Sequence, residues 1–310
     1  MIEATRSEFR LLVLADLHMD QWKPRSMPPH AVCEAVSRRP EGFAAPDLVV
    51  SAGDLAHASP FGWKYGISEI RRSLPGNTPL LLIPGNHDYY LAELDDAPLR
   101  AECELRKARF GQKTETFLGA TRILSCTLWS DGLLFGEEHR AEVLRIVQGG
   151  LNDYRLIRKP GSPTPITALD TVSLHEDHVS WLRSRLAVKH DGPTLIITHH
   201  GPHPEASLPM DAISAGFVSD LSEMIEEHQP EAWVFGHTHR PQSAILGKTR
   251  IHNVGLGYPG EAAAYGMNEI MTRGCLTVGD EVRFLMDEID PRPVRTITPR
   301  HALTLCGPDM

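Results

Sequence analysis

The sequence predicts an α/β fold, and three observations carry that prediction. Short apolar runs recur along the chain, helix-length segments lie between them, and each run ends in residues suited to chemistry. Runs of this kind bounded by Gly and Pro read as buried strands, and strand, helix, strand alternation implies an α/β architecture.

The strands are expected in FRLLVLA before Asp16, PDLVVSA before Gly53, PLLLIP before Gly85, PTLIIT before His199 and EAWVF before Gly236. Helices are expected in AVCEAVSRR at 31–39, WKYGISEIRRS at 63–73 and LAELDDAPLRAECELRKARF at 91–110, the last interrupted at Pro98. SLHEDHVSWLRSRLA at 173–187 opens on a capping box of Ser173 and Glu176, and it spaces Val179, Leu182 and Leu186 along one apolar face. KPGSPTP at 159–165 is a loop. The stretch from about 130 to 170 lacks periodicity and suits an excursion over the active face, where specificity can reside.

SAILG, TRIHNVG, RGCLTVG and DEVRFLM follow as successive strands. From Asp290 onward the chain is Pro-rich and then weakly patterned, so one domain is expected over 8–290, with 291–310 as a peripheral tail or partner contact. No internal repeat is evident.

A chain of 310 residues, 41% hydrophobic, can bury a substantial core. Lys and Arg total 31 against 40 Asp and Glu, a formal charge of -9 without long like-charge runs. This disfavours nonspecific binding to nucleic acid or anionic membrane, which needs a basic face. Cys33, Cys103, Cys126, Cys275 and Cys306 are scattered and never form CxxC, as expected of reduced thiols in a cytoplasmic protein. The N-terminal apolar run is too short for a signal peptide or membrane span.

Asp16 and His18 stand two apart at a strand end, where side chains i and i+2 point to one side and can ligate one ion. Alone, such a pair reads more readily as a turn cap beside a surface histidine. Asp54 follows Gly53 at the second strand end and offers two carboxylate oxygens that can bridge cations. Asn86, His87 and Asp88 follow Gly85 and offer an amide oxygen, an imidazole and a carboxylate. His199 ends the fourth strand, while His237 and His239 repeat the i, i+2 spacing after the fifth. Five strand ends carrying Asp, Asn or His point to a metal site.

Through DLH at 16–18, GD at 53–54, GNHD at 85–88, THH at 198–200 and GHTH at 236–239, in that order, the sequence resembles the calcineurin-like metallophosphoesterases over roughly residues 10 to 285. The resemblance implies a four-layer αββα sandwich of two mixed β-sheets flanked by helices, with metals at the strand ends. It also implies that one ion takes Asp16, His18 and His239, that the other takes Asn86, His199 and His237, and that Asp54 bridges both. Two cations of that kind generate a hydroxide near neutral pH that attacks phosphorus in line. His87 is the candidate general acid for the leaving oxygen. Asp88 is placed either to orient His87 or to cap a helix beginning near Leu91.

Oxygen and imidazole donors without cysteine suit two divalent or mixed-valence ions of manganese, iron or zinc, with manganese leading. His203 reads either as a substrate contact or as an exposed loop residue, and the role of His200 stays open. His175 and His178 are expected on a solvated helix face, His57 in a loop, and Arg155, Arg158 and Lys159 in solvent. The expected activity is hydrolysis of a phosphodiester or phosphomonoester in a small molecule, the diester slightly favoured because hydroxide attack needs no covalent enzyme intermediate. The alternatives are a nuclease or protein phosphatase using the same centre, weakened by the acidic balance, and a scaffold without turnover, weakened because every expected position is filled. Oligomeric state has no signature in the sequence.

Overall fold

A computed structural model of the chain describes residues 7–22, 36–38, 40–58, 62–206 and 210–298. The five runs read as strands all form strands. Phe9–Leu14 (β1), Leu48–Ala52 (β2), Leu80–Ile83 (β3) and Arg109–Phe110 (β4) pair in parallel, and Cys275–Val278 (β11) and Val282–Phe284 (β12) extend this sheet antiparallel from β1, giving the order β12-β11-β1-β2-β3-β4.

A second sheet runs β13-β9-β10-β8-β7-β6-β5. It consists of the hairpin Thr114–Leu118 (β5) and Thr121–Cys126 (β6), then Thr194–Thr198 (β7), Ala232–Phe235 (β8), Ser243–Leu246 (β9), Thr249–Asn253 (β10) and Arg295–Ile297 (β13). The last of these pairs in parallel with β9, so part of the segment expected as a tail adds a short strand at the sheet edge.

Strand alternation explains the layering. Leu11, Val13, Val50, Ala52, Leu81 and Ile83 point one way and meet Ile123, Leu195, Ile197, Ala232 and Val234 of the second sheet. Their sequence neighbours Leu12, Val49, Leu80 and Leu82 point the other way and pack on Trp63, Ile67 and Ile70 of helix Gly62–Ser73 (α1). Leu124, Ile196, Trp233 and Phe235 likewise face helices Ala168–Leu186 and Ser222–His228 through Leu182, Leu186, Met224 and Ile225. The result is two mixed sheets face to face with helices outside, the αββα sandwich expected. Each fully buried aliphatic side chain contributes about 1.5–3 kcal/mol, against about 0–1 kcal/mol for an exposed ion pair, so these apolar strata dominate stability.

Two helices differ from expectation. In the 91–110 segment the helix spans only Asp96–Leu105 (α2): Leu91 sits at φ 65, Asp95 caps the start by accepting from Ala97 N, and Pro98 lies in the first turn, where a missing N–H costs nothing. The helix expected at 173 begins at Ala168 instead, because Thr167 and Asp170 form the capping box, and Ser173 Oγ donates to Leu169 O inside the helix. Of the 31–39 helix, residues 36–38 are helical and the rest lie outside the described residues, as do Cys33 and Cys306. Between the sheets' helices, Arg140–Gly150 (α3) and Asp153–Leu156 (α4) occupy the stretch without periodicity; Ala168–Leu186 is α5 and Ser222–His228 is α6. Among the described residues no helix is long and apolar enough to cross a membrane.

Candidate active site

Strands β1, β2 and β3 run parallel, as do β7 and β8, and their C-terminal ends deliver Asp16, His18, Asp54, Asn86, His199, His237 and His239 to one edge of the sandwich. The loops are laced together: Asp16 N donates to Gly53 O, His18 N to Asp54 O and Gly236 N to His199 O. His237 N donates to both oxygens of Asp16, a bond between the two sheets.

Five of these residues, Asp16, His18, Asp54, His237 and His239, have φ between 40 and 65. Side chains in the left-handed region cost on the order of 1–3 kcal/mol each and persist where function over-determines them. Gly53, at φ +92, is required twice over: a Cβ there would stand 2.1 Å from His199 Nδ1.

The side chains form three groups, each able to hold a metal ion: Asp16 with His18 and His239, Asp54 with His199 and His237, and His18 with Asp54 and His87. His18 Nε2 and His239 Nε2 are 3.0 Å apart, and His239 Nε2 is 3.5 Å from Asp16 Oδ1. Asp54 reaches both sides, with Oδ2 3.7 Å from His18 Nε2 and Oδ1 3.4 Å from His199 Nε2. Asn86 Oδ1 lies 3.0 Å from that same His199 nitrogen.

Tautomers follow from the remaining contacts. His199 Nδ1 donates to Ala52 O at 3.0 Å and His239 Nδ1 to Glu261 at 2.8 Å, which leaves both Nε2 lone pairs facing inward. The buried nitrogens His18 Nδ1 and His237 Nε2 have no hydrogen-bond partner among the described residues.

The electrostatics call for a cation. Asp16 and Asp54 are buried, and their ion-pair contacts among the described residues are histidines alone. Burial, then the charges of Asp16 and Asp88, push Asp54 well above the usual carboxylate range. Burial and neighbouring imidazoles hold His18 and His237 well below theirs, and His87 down to about 2. His239 is the exception: burial opposes its charge, but its bonds to Asp16 and Glu261 raise it to about 9. Apart from His239, whose proton an ion on Nε2 would displace, the buried carboxylates meet neutral imidazoles and no Lys or Arg among the described residues, the electrostatic complement of divalent metal.

His87 sits at the rim, stacked on Tyr90 with ring centroids 4.1 Å apart, and its Nε2 is 3.3 Å from the Tyr258 hydroxyl. Asp88 corrects the sequence reading. Its carboxylate accepts from Asp54 N, Ala56 N, Gly85 N and Trp63 Nε1 at 2.6–3.2 Å, while no helix starts at Leu91. It neither orients His87 nor caps a helix; it ties the second and third strand-end loops together.

His175 and His178 are buried, not solvated, because α5 turns that face onto the second sheet; His175 Nδ1 meets Leu128 O at 3.1 Å. His203 is buried as well and accepts from Glu205 N. The His200 ring packs between Trp129 and His237. Arg155 and Arg158 are exposed, and Lys159 pairs with Asp170 at 2.9 Å.

A cleft of about 280 Å³ opens above these groups, walled by Tyr90, Asp153, Phe217 and Tyr258, with no Lys or Arg among the described residues that line it. Gly150 to Asp153, from the stretch without periodicity, form one side. Sequence reasoning missed Asp153, Glu261 and Tyr258, and it left His57 as a loop residue without a role. Their partners are distant in the chain, so no local pattern marks them. A larger cavity of about 1040 Å³ between α3 and α5 contains none of the predicted site residues.

Residues 9–241 match the family of calcineurin-like phosphoesterases. Over 205 residues the chain is 26% identical to an uncharacterized protein, L509, of Acanthamoeba polyphaga mimivirus, a match spanning 59% of this chain and 69% of that one. The fold is similar to the crystal structure of phosphopantetheinyl hydrolase (PptH) from Mycobacterium tuberculosis, with a TM-score of 0.64 at 19% identity, covering 84% of this chain and 93% of that one.

Proposed function

The chain belongs to the calcineurin-like phosphoesterase family, and from that premise we propose that it hydrolyses a phosphodiester of a small molecule at a centre of two divalent cations. Metal-dependent phosphoester hydrolysis follows from family membership; the ester, the metal and the residue roles are our reading. One cation is assigned to Asp16, His18 and His239 and the other to Asn86, His199 and His237, with Asp54 between them.

The observation that carries this is the position of Asp54, buried between two metal-capable groups with one oxygen toward each. The donors fit the cations: His199 and His239 turn Nε2 inward, and among the described residues the buried nitrogens His18 Nδ1 and His237 Nε2 have no partner and the carboxylates Asp16 and Asp54 no Lys or Arg. Oxygen and imidazole donors favour manganese, iron or zinc, manganese first. When bound, such a pair polarises phosphoryl oxygens and acidifies a water that serves as nucleophile.

The chain's own groups supply the rest. Asn86, His199 and His239 are locked by hydrogen bonds to Asp153, Ala52 and Glu261, so little reorganisation of these groups accompanies reaction. His87 faces the cleft from the rim, where it can give a proton to the departing oxygen. Asp88 acts at a distance, by fixing the loops that carry Asp54 and Gly85.

The diester reading is supported by the lining. A dianionic monoester is commonly gripped by Arg or Lys, and none stands among the described residues of the lining; a monoanionic diester needs that grip less. A cleft of about 280 Å³ suits a small molecule better than a nucleic-acid strand or a protein surface. The buried free thiols Cys103, Cys126 and Cys275 support a cytoplasmic setting.

The test is metal content of the purified protein together with Mn2+-stimulated turnover of bis-p-nitrophenyl phosphate and p-nitrophenyl phosphate, with Asp54→Ala as control. Diester turnover lost in Asp54→Ala supports the reading. Preference for the monoester overturns the diester assignment, and absence of both metal binding and turnover overturns the centre.

A further inference from the structure

Resting on the phosphoesterase reading above, we infer that Tyr258 grips the substrate, its hydroxyl donating a hydrogen bond to a non-bridging oxygen of the bound phosphodiester. Donors are scarce in the cleft. No Lys or Arg stands among the described residues of its lining, the Tyr90 hydroxyl is spent on Asp153 Oδ1 at 2.6 Å, and the Asn86 amide nitrogen goes to the same oxygen at 2.8 Å. The Tyr258 hydroxyl instead meets His87 Nε2 at 3.3 Å, long for a hydroxyl group and so readily exchanged for a better partner.

The ring is held over the candidate metal ligands although it is exposed, so burial is not what fixes it. It stacks on His18 with centroids 4.5 Å apart and planes 29° apart, and it meets His239 edge-on at 4.9 Å. The backbone leading to it is tied to the first strand-end loop: Leu256 N donates to Ala15 O at 3.0 Å and Gly257 N to Asp16 O at 3.1 Å. Tyr258 N then donates to Glu261 Oε2 at 2.9 Å, the oxygen that also accepts from His239 Nδ1. Gly257 permits this approach at φ +81, where a Cβ would stand 2.8 Å from Glu261 Oε2. The loops that position Asp16 and His239 therefore position the hydroxyl as well.

A phenol supplies a hydrogen-bond donor without a positive charge. Hydrogen bonds to an anionic oxygen are shorter and stronger than those to a neutral acceptor, so an entering ester draws the hydroxyl away from His87. That exchange frees His87 Nε2 to face the departing oxygen. One neutral donor also matches the single charge of a diester better than the double charge of a monoester, in keeping with a lining without Lys or Arg among the described residues.

Tyr258→Phe tests this, because it keeps the ring on His18 and removes only the hydroxyl. In the Mn2+-loaded protein the Kd for dimethyl phosphate, measured by calorimetry, is expected to rise about 10- to 100-fold, the cost of a hydrogen bond to a charged oxygen. The kcat/KM for methyl p-nitrophenyl phosphate should fall by a similar factor. Metal content, measured by elemental analysis, should equal that of the wild type. An unchanged Kd, an unchanged kcat/KM or a loss of bound metal in the variant overturns the grip while leaving the phosphoesterase reading intact. A wild-type protein inert toward the ester under every metal overturns both.

Discussion

Asn86 Nδ2 donates to Asp153 Oδ1 at 2.8 Å, and this one contact decides which end of the amide faces His199. A carboxylate accepts only, so the amide nitrogen must turn toward Asp153 and the oxygen toward the metal-capable groups. Tyr90 holds the same carboxylate oxygen from the other side at 2.6 Å. Replacing Asp153 with Ala should free the amide and weaken one of the two metal sites about 10- to 100-fold, the usual cost of losing an outer partner. Metal titration by calorimetry checks this: one affinity should fall and the other stay within a few-fold.

Glu261 performs the same office for His239. With its side chain 47% exposed, the bond is partly screened, so Glu261→Gln should cost metal affinity at the lower end, about 10-fold. The affected site should be the one assigned to Asp16, His18 and His239, opposite to the effect of Asp153→Ala. A double variant weakened at both sites would place the two outer partners on different ions.

Asp54→Asn should separate stability from activity. Burial and the nearby Asp16 and Asp88 disfavour the Asp54 charge in the metal-free protein. Removing that charge should stabilise the metal-free form by about 1–3 kcal/mol, the scale of an uncompensated buried polar group. The same variant should lose the stabilisation that the wild type gains from added Mn2+. Thermal melts with and without metal would show the crossing; a metal-free variant less stable than wild type would refute it.

His178 predicts a pH dependence away from the site. It is 3% exposed, its Nδ1 lacks a partner among the described residues, and burial lowers it from 6.5 to about 4. Between those values the unfolded chain binds a proton that the folded chain refuses. Stability from this group is therefore complete above pH 6.5 and is lost as pH falls toward about 4. Its full extent is on the order of 3 kcal/mol. Urea titrations should show the wild type losing stability more steeply than His178→Gln between those limits; parallel curves would exclude the assignment.

Much of the site was legible because its signals are local. A strand end brings its next residues to a fixed edge, so DLH, GD, GNHD, THH and GHTH each announce a ligand-bearing loop within a few residues. Helix starts were harder to place, since Thr167 and Ser173 are both followed three residues later by an acid, and only packing against the second sheet selected Thr167.

What the sequence by itself determined is the α/β class, the central strands of both layers though not β4, the β5–β6 hairpin or β13, and the seven residues that converge, because strand periodicity and short motifs are written over a few consecutive positions. What only the tertiary structure decided is what surrounds those seven: that Asp153 sets the Asn86 amide and Glu261 the His239 tautomer, that His57 Nε2 meets His87 Nδ1, that Asp88 serves the loops, and that His175, His178 and His203 are buried. These pairs join residues tens of positions apart, and nothing local fixes a contact made only when two loops close against each other.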